Sequence, residues 1–151
     1  MTPERFSLDT NILVYAADVA AGKRHGRALE ILDRAVRRDC VLTLQALAEF
    51  FHAATRRQMV ARTEAAAQLR DWATAFPTVS ADPASLWMAL EFAADGRLSL
   101  WDALLLATAD RHACEVVLSE DMQDGTRFGG VTVLDPFVGE VLPARVAELL
   151  G

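Results

Sequence analysis

Four acidic side chains, Asp9, Glu49, Asp102 and Asp121, are spread along the chain, and each stands where an apolar run begins or ends: FSLDTNIL, LTLQALAEFF, LSLWDALLLATA and VVLSEDMQDG. A carboxylate in apolar company needs a partner. Gathered without a cation, several carboxylates raise one another's pKa values at about 1.4 kcal/mol per unit, and a bound divalent ion removes that cost. The donors are oxygen only, with no Cys or His at metal-ligand spacing, which favours Mg2+ or Mn2+ over Zn2+. The chemistry this implies is metal-assisted attack of water on a nucleic acid backbone.

Each acid also has an ordinary explanation. Asp9 fits the N-cap of a following helix. Asp102, three residues after Ser99, suits a helix's first turn. Glu49 can pair with His52 along one helix face, and Asp121 and Asp124 can be turn residues in the loop from Ser119 to Gly125. These roles leave unexplained why Asp102 lies between Trp101 and the run Ala103 to Ala107, and Glu49 between Ala48 and Phe50.

The elements that must position these acids can be read from periodicity. Arg5 to Leu8 is a short strand delivering Asp9 at its end, followed by a helix start or turn over Thr10 to Ala16. Arg24 to Arg38 has a helical apolar stripe, Cys40 to Leu44 suits a second strand, and Gln45 to Arg57 returns to helical spacing with Glu49 near its start. A helix capped by Thr63 runs to about Ala75, and Thr78 to Ser80 is a brief strand. Asp82 and Pro83 open a helix through Ala94, and Ser99 caps another over Leu100 to His112. Cys114 to Leu118 and Val131 to Leu134 are strands flanking a Gly-rich turn from Gly125 to Gly130, and Pro143 to Leu150 closes with a short helix. Strands lacking period-two alternation, interleaved with helices, predict an α/β fold with a parallel sheet covered on both faces. Ligands bind such sheets outside the carboxyl ends of the strands, where Asp9 and Asp121 would lie.

At 151 residues and 52% hydrophobic composition the chain reads as one domain over residues 1–151, long enough to bury roughly two thirds of its unfolded surface. No apolar run approaches a membrane span or a signal-peptide core, so a cytoplasmic location is expected. Cys40 and Cys114 form no CxxC pair and read as buried thiols. The net charge of −6 by itself opposes a nucleic acid partner, but clustered carboxylates concentrate that charge at one place and bound cations offset it. Two local basic runs, Lys23–Arg24–His25–Arg27 and Arg56–Arg57–Arg62, suit either a substrate rim or solvated helix surface.

The motifs SLDTNILVYA, the helix bearing Glu49, LSLWDALLLATA and LSEDMQDG, in this order and spacing, resemble PIN-domain proteins of the kind found as the toxin of bacterial VapBC toxin–antitoxin pairs. The resemblance covers essentially the whole chain. It implies a three-layer α/β/α fold with strand order 3-2-1-4-5, and Asp9, Glu49, Asp102 and Asp121 as an acidic quartet. Many relatives have DF where this chain has DG, which leaves Asp121 and Asp124 both open as the fourth acid, with Asp121 preferred. Asn11 and Ser119 are placed to orient carboxylates by hydrogen bonding.

The resemblance further implies a Mg2+- or Mn2+-dependent endoribonuclease, held by a small antitoxin and forming a homodimer. Arg24, Arg27, Arg56 and Arg57 are candidate substrate contacts, and Trp72, Phe76, Trp87 and Phe92 a candidate interaction surface. Two alternatives stand beside it. A haloacid-dehalogenase-type phosphatase expects an acid two residues after Asp9, where this chain has Asn11. A non-catalytic PIN-like module for partner or RNA binding would be marked by loss of acids, and none is missing.

Overall fold

The computed structural model, which describes residues 4–151, is built on one six-stranded sheet that is parallel except at one edge. β1 (Phe6–Leu8) is entirely buried and lies in the middle, pairing in parallel with β2 (Cys40–Thr43) on one side and β4 (Val116–Leu118) on the other. β3 (Thr78–Val79) extends the sheet beyond β2, and β6 (Val131–Leu134) lies beyond β4, both parallel. The expected order 3-2-1-4-5 is present as β3-β2-β1-β4-β6. The addition is β5 (Arg127–Phe128), a two-residue strand antiparallel to β6 at the sheet's edge. It lies inside the stretch read from sequence as a Gly-rich turn, too short to show a period.

Helices cover the sheet: α1 (Thr10–Ala17), α2 (Lys23–Ala35), α3 (Leu44–Arg56), α4 (Arg62–Ala75), α5 (Pro83–Ala94), α6 (Leu100–Arg111) and α7 (Ala144–Leu150). Their starts follow local chemistry. Asp9, Thr43, Asp82 and Ser99 each accept a first-turn backbone N–H, and Asp82 with Ser85 completes a capping box ahead of Pro83. Thr63 is not a cap: α4 begins one residue before it, and Ala61 holds the cap position with no side-chain hydrogen bond. A 3-10 turn at Val19–Ala21 and Gly22, at φ +63°, turn the chain from α1 into α2.

The core is the sheet and its facing helices, with Phe6, Leu8, Ile12, Leu42, Phe50 and Leu106 fully buried. Cys40 and Cys114 are buried free thiols, as expected, and burial pushes Cys114 up to about 12. The proposed aromatic surface does not survive. Trp72 and Phe76 are core, Trp72 packing edge-on against Phe50, and Phe92 lies half-buried against Phe128. Of that set, Trp87 remains exposed. Among the described residues no helix is long and apolar enough to cross a membrane.

Candidate active site

The parallel ladder runs one residue past the strand ends. Asp9 N–H donates to Leu118 O at 2.9 Å and Ser119 N–H to Leu134 O at 3.0 Å, which sets Asp9 beside Ser119 at the carboxyl edge. There Asp9 is both a helix cap and a buried acid, only 4% exposed. One carboxylate oxygen accepts from Thr10 N–H (2.7 Å) and the other from the Ser119 hydroxyl (2.7 Å). Ser119 Oγ in turn accepts from Asp121 N–H at 3.1 Å, so one hydroxyl ties Asp9 to the loop that carries Asp121. Asn11 Nδ2 reaches Asp9 Oδ2 and Ser119 Oγ at 3.5 and 3.4 Å, both long.

α3 brings in Glu49 from its second turn. Its partners are Thr10 Oγ1, donating to Oε2 at 2.7 Å, and Gln45 Nε2, donating to Oε1 at 2.8 Å, rather than His52. Gln45 also donates to Trp101 O at 2.9 Å, bridging α3 to the first turn of α6, where Asp102 stands. The Asp102 N–H donates to Ser99 Oγ at 3.1 Å, which caps the helix.

The electrostatics show that the acids face one another. Burial pushes the Asp9 carboxyl up to about 6 against the Ser119 and Thr10 hydrogen bonds, and the charges of Asp121 and Asp102 push it further the same way. Asp102 is also raised, first by burial, opposed by Ser99, then by the charges of Asp121 and Glu49. Among the described residues no basic group is a leading influence on either acid. Asp124 faces elsewhere: it accepts from Asp135 N–H at 2.8 Å, and its charge raises Asp135.

A hard divalent cation fits this donor set in chemistry. The donors are oxygen, burial and neighbouring acids raise Asp9 and Asp102 despite their hydrogen bonds, and Asn11 Oδ1 is buried there without a hydrogen-bond partner. Among the described residues no three Asp, Glu, His or Cys side chains are grouped so that they could hold a metal ion between them as they stand.

Two grooves open on Asp121. One, of about 550 Å3, is lined by Thr10, Asn11, Glu49, His52 and Arg57. The other, of about 470 Å3, is lined by Phe92, Arg97, Ser99, Asp102 and Arg127. The arginines expected at the rim are divided by the fold. Arg57 lines the first groove, and Arg56 is exposed on the last turn of α3. Arg24 Nε is held by both Glu120 oxygens at 3.1 and 2.8 Å, with the Tyr15 hydroxyl donating to the same carboxylate. Arg27 donates to Pro136 O and Val138 O, beside a separate groove along α2. Sequence reasoning missed Thr10, Gln45, Arg97 and Arg127. Gln45 was legible, since it precedes Glu49 by four residues on one helix. Arg97 and Arg127 are single cations in turns with no local signal.

No curated protein matches the chain in sequence. Among solved structures it is similar to a toxin–antitoxin complex from Klebsiella pneumoniae, at 23% identity over 83% of this chain and 94% of that one, TM-score 0.59. It is similar to VapBC2 of Rickettsia felis bound to a DNA fragment from its promoter, at 13% identity over 87% and 98%, TM-score 0.63. A third likeness is to Mycobacterium tuberculosis VapC20, a sarcin–ricin-loop-cleaving toxin, at 20% identity over 74% and 86%, TM-score 0.60. At these identities the likeness is one of fold. The PIN-domain family model matches residues 7–123, from β1 through the loop after β4 with all four acids, and the chain therefore belongs to the PIN-domain family.

Proposed function

We propose that the protein is a metal-dependent endoribonuclease and the toxin of a type II toxin–antitoxin pair. What supports this reading is geometric: Ser119 ties Asp9 to the Asp121 loop, Thr10 and Gln45 tie Glu49 to the starts of α1 and α6, and Asp121 lines one groove with Glu49 and another with Asp102. Asp9 and Asp102 would hold the ion, and Asp121 and Glu49 would complete its surroundings. Mg2+ or Mn2+, when bound, supplies a lowered pKa for water and charge neutralisation at phosphorus. Ser119 keeps Asp9 and the Asp121 loop in register. Thr10 and Gln45 fix both oxygens of Glu49, which with Asp121 would help take the proton of the attacking water.

RNA as substrate and a small antitoxin as partner are supported by the family and by what the similar structures are: toxin–antitoxin assemblies and an RNA-cleaving toxin. An apolar groove of about 770 Å3 beside the site adds surface that a protein partner or a second copy would cover, with Leu44 and Trp101 exposed along it. The phosphatase alternative still lacks its second acid, because Asn11 stands two residues after Asp9.

Purified, antitoxin-free protein incubated with structured RNAs should cleave them in Mg2+ or Mn2+, and EDTA should stop it. Asp9→Asn and Asp102→Asn should be inactive yet folded. Cleavage retained by both variants contradicts the assignment, and an aspartyl-phosphate trapped on Asp9 would revive the phosphatase.

A further inference from the structure

A chain of net charge −6 with carboxylates at its centre must still draw in a polyanion, and its cations at the site are few and specifically placed. Asp121 lines two grooves, one bearing Arg57 and the other Arg97 and Arg127. Of the second pair, Arg97 is oriented in advance. The Arg97 guanidinium lies over the Phe92 ring, with Cζ 4.0 Å from the centroid, and Nη2 donates to Asp95 at 2.7 Å. Arg127 lines this groove and also a separate one toward the amino ends of β4 and β6, where its Nη1 donates to Thr132 Oγ1 at 2.8 Å, leaving its other nitrogens untethered.

A guanidinium carries five N–H groups, so one tether leaves most of the fork for a phosphate, and a stacked side chain loses less freedom on binding. The Arg97–Asp95 pair is more than half exposed on both sides, too weak to withhold Arg97 from a stronger anion. Arg24 contrasts with this, since its fork already lies against Glu120.

We infer that a single-stranded RNA backbone crosses the acid cluster from the Arg57 groove to the Arg97–Arg127 groove, and that Arg97 and Arg127 grip phosphates flanking the scissile one. This rests on the ribonuclease reading and adds the path of the strand. It also explains how the site tolerates its own charge: the cations stand at the two mouths and leave the carboxylates unpaired for a metal.

The test is anisotropy of a labelled single-stranded RNA in EDTA, where cleavage stops, over a series of salt concentrations. Arg97→Gln/Arg127→Gln should weaken binding about 10-fold and lower the slope of log K against log salt by ~1.4, from two lost phosphate contacts. The same variant in Mg2+ should raise KM with kcat little changed. Arg97→Lys/Arg127→Lys should restore most of the affinity, because charge is kept. Arg37→Gln/Arg70→Gln removes equal charge from exposed positions lining neither groove and should change binding far less. Equal effects of the two Gln pairs, or no restoration by Lys, overturn the path while cleavage by the wild type leaves the ribonuclease reading standing. A wild type that neither binds nor cuts RNA overturns both.

Discussion

Asp9 and Asp82 hold the same local post and live in opposite surroundings. Each is the N-cap of a helix and accepts a backbone N–H from its first turn. Asp82 is exposed, accepts from the Ser85 N–H and hydroxyl, and receives two nitrogens of Arg111; these contacts hold its carboxyl down to about 2. Asp9 is buried, faces Asp121 and Asp102, and is pushed up to about 6. Capping accounts for both residues and for neither environment. A fold that needed only a cap had the Asp82 solution at hand; burying Asp9 among acids opposes folding, and the proposed cation site would offset that cost.

The largest expected difference between the two is in catalysis. Asp9→Asn should reduce RNA cleavage by more than the ~10–100-fold typical of losing a residue behind a metal ligand, whereas Asp82→Asn should leave cleavage unchanged. Rates in Mg2+ check this, and equal losses would erase the distinction. Ser119→Ala comes next: without its hydroxyl, Asp9 loses a hydrogen bond that favours the charged form, and Asp121 loses its backbone anchor. Mn2+ affinity measured by calorimetry should fall roughly 10–100-fold.

The pH dependence of stability should then separate the caps by sign. With a folded pKa of about 6 against an ordinary 3.8, Asp9 favours the metal-free fold fully below pH 3.8, and this contribution is lost as pH rises through 6. Its size is on the order of 3 kcal/mol. Asp82, lowered to about 2, contributes above pH 3.8 and loses that contribution as pH falls through 2. Thermal melts in EDTA should therefore show Tm rising from pH 7 to pH 5, and Asp9→Asn should be steadier at pH 7 with a flatter profile. A wild-type Tm that falls over this interval would contradict the account. The smallest effect belongs to Asp82→Ala, where loss of the capping box should lower Tm by roughly 2–4 °C without touching metal binding.

Much of this was legible in the chain itself. The β1, β2, β4 and β6 strands stood out as short apolar runs, and Asp9, Asp82 and Ser99 stood out as caps, because both signals are local. The convergence of the four acids was readable only jointly, from parallel topology and family resemblance. What escaped depends on tertiary placement. Arg24 and Arg27 look like free rim cations in sequence, yet Glu120 and the Pro136 and Val138 carbonyls reach them from beyond β4. Trp72 and Trp87 are alike in sequence, but one is 8% and the other 62% exposed, according to which face of its helix meets the core. β5 exists because β6 offers it an edge, a pairing that two residues cannot announce.

Titration of metal-free protein with Mn2+ at pH 6 tests most directly the claim that Asp9 is kept buried and unpaired for a cation. The wild type should bind with release of protons, seen as heats that vary with the buffer, because the ion displaces the proton that Asp9 holds near that pH. Asp82→Asn should do the same, and Asp9→Asn should lose both the binding and the proton release. Equal Mn2+ binding by the wild type and Asp9→Asn would contradict the account.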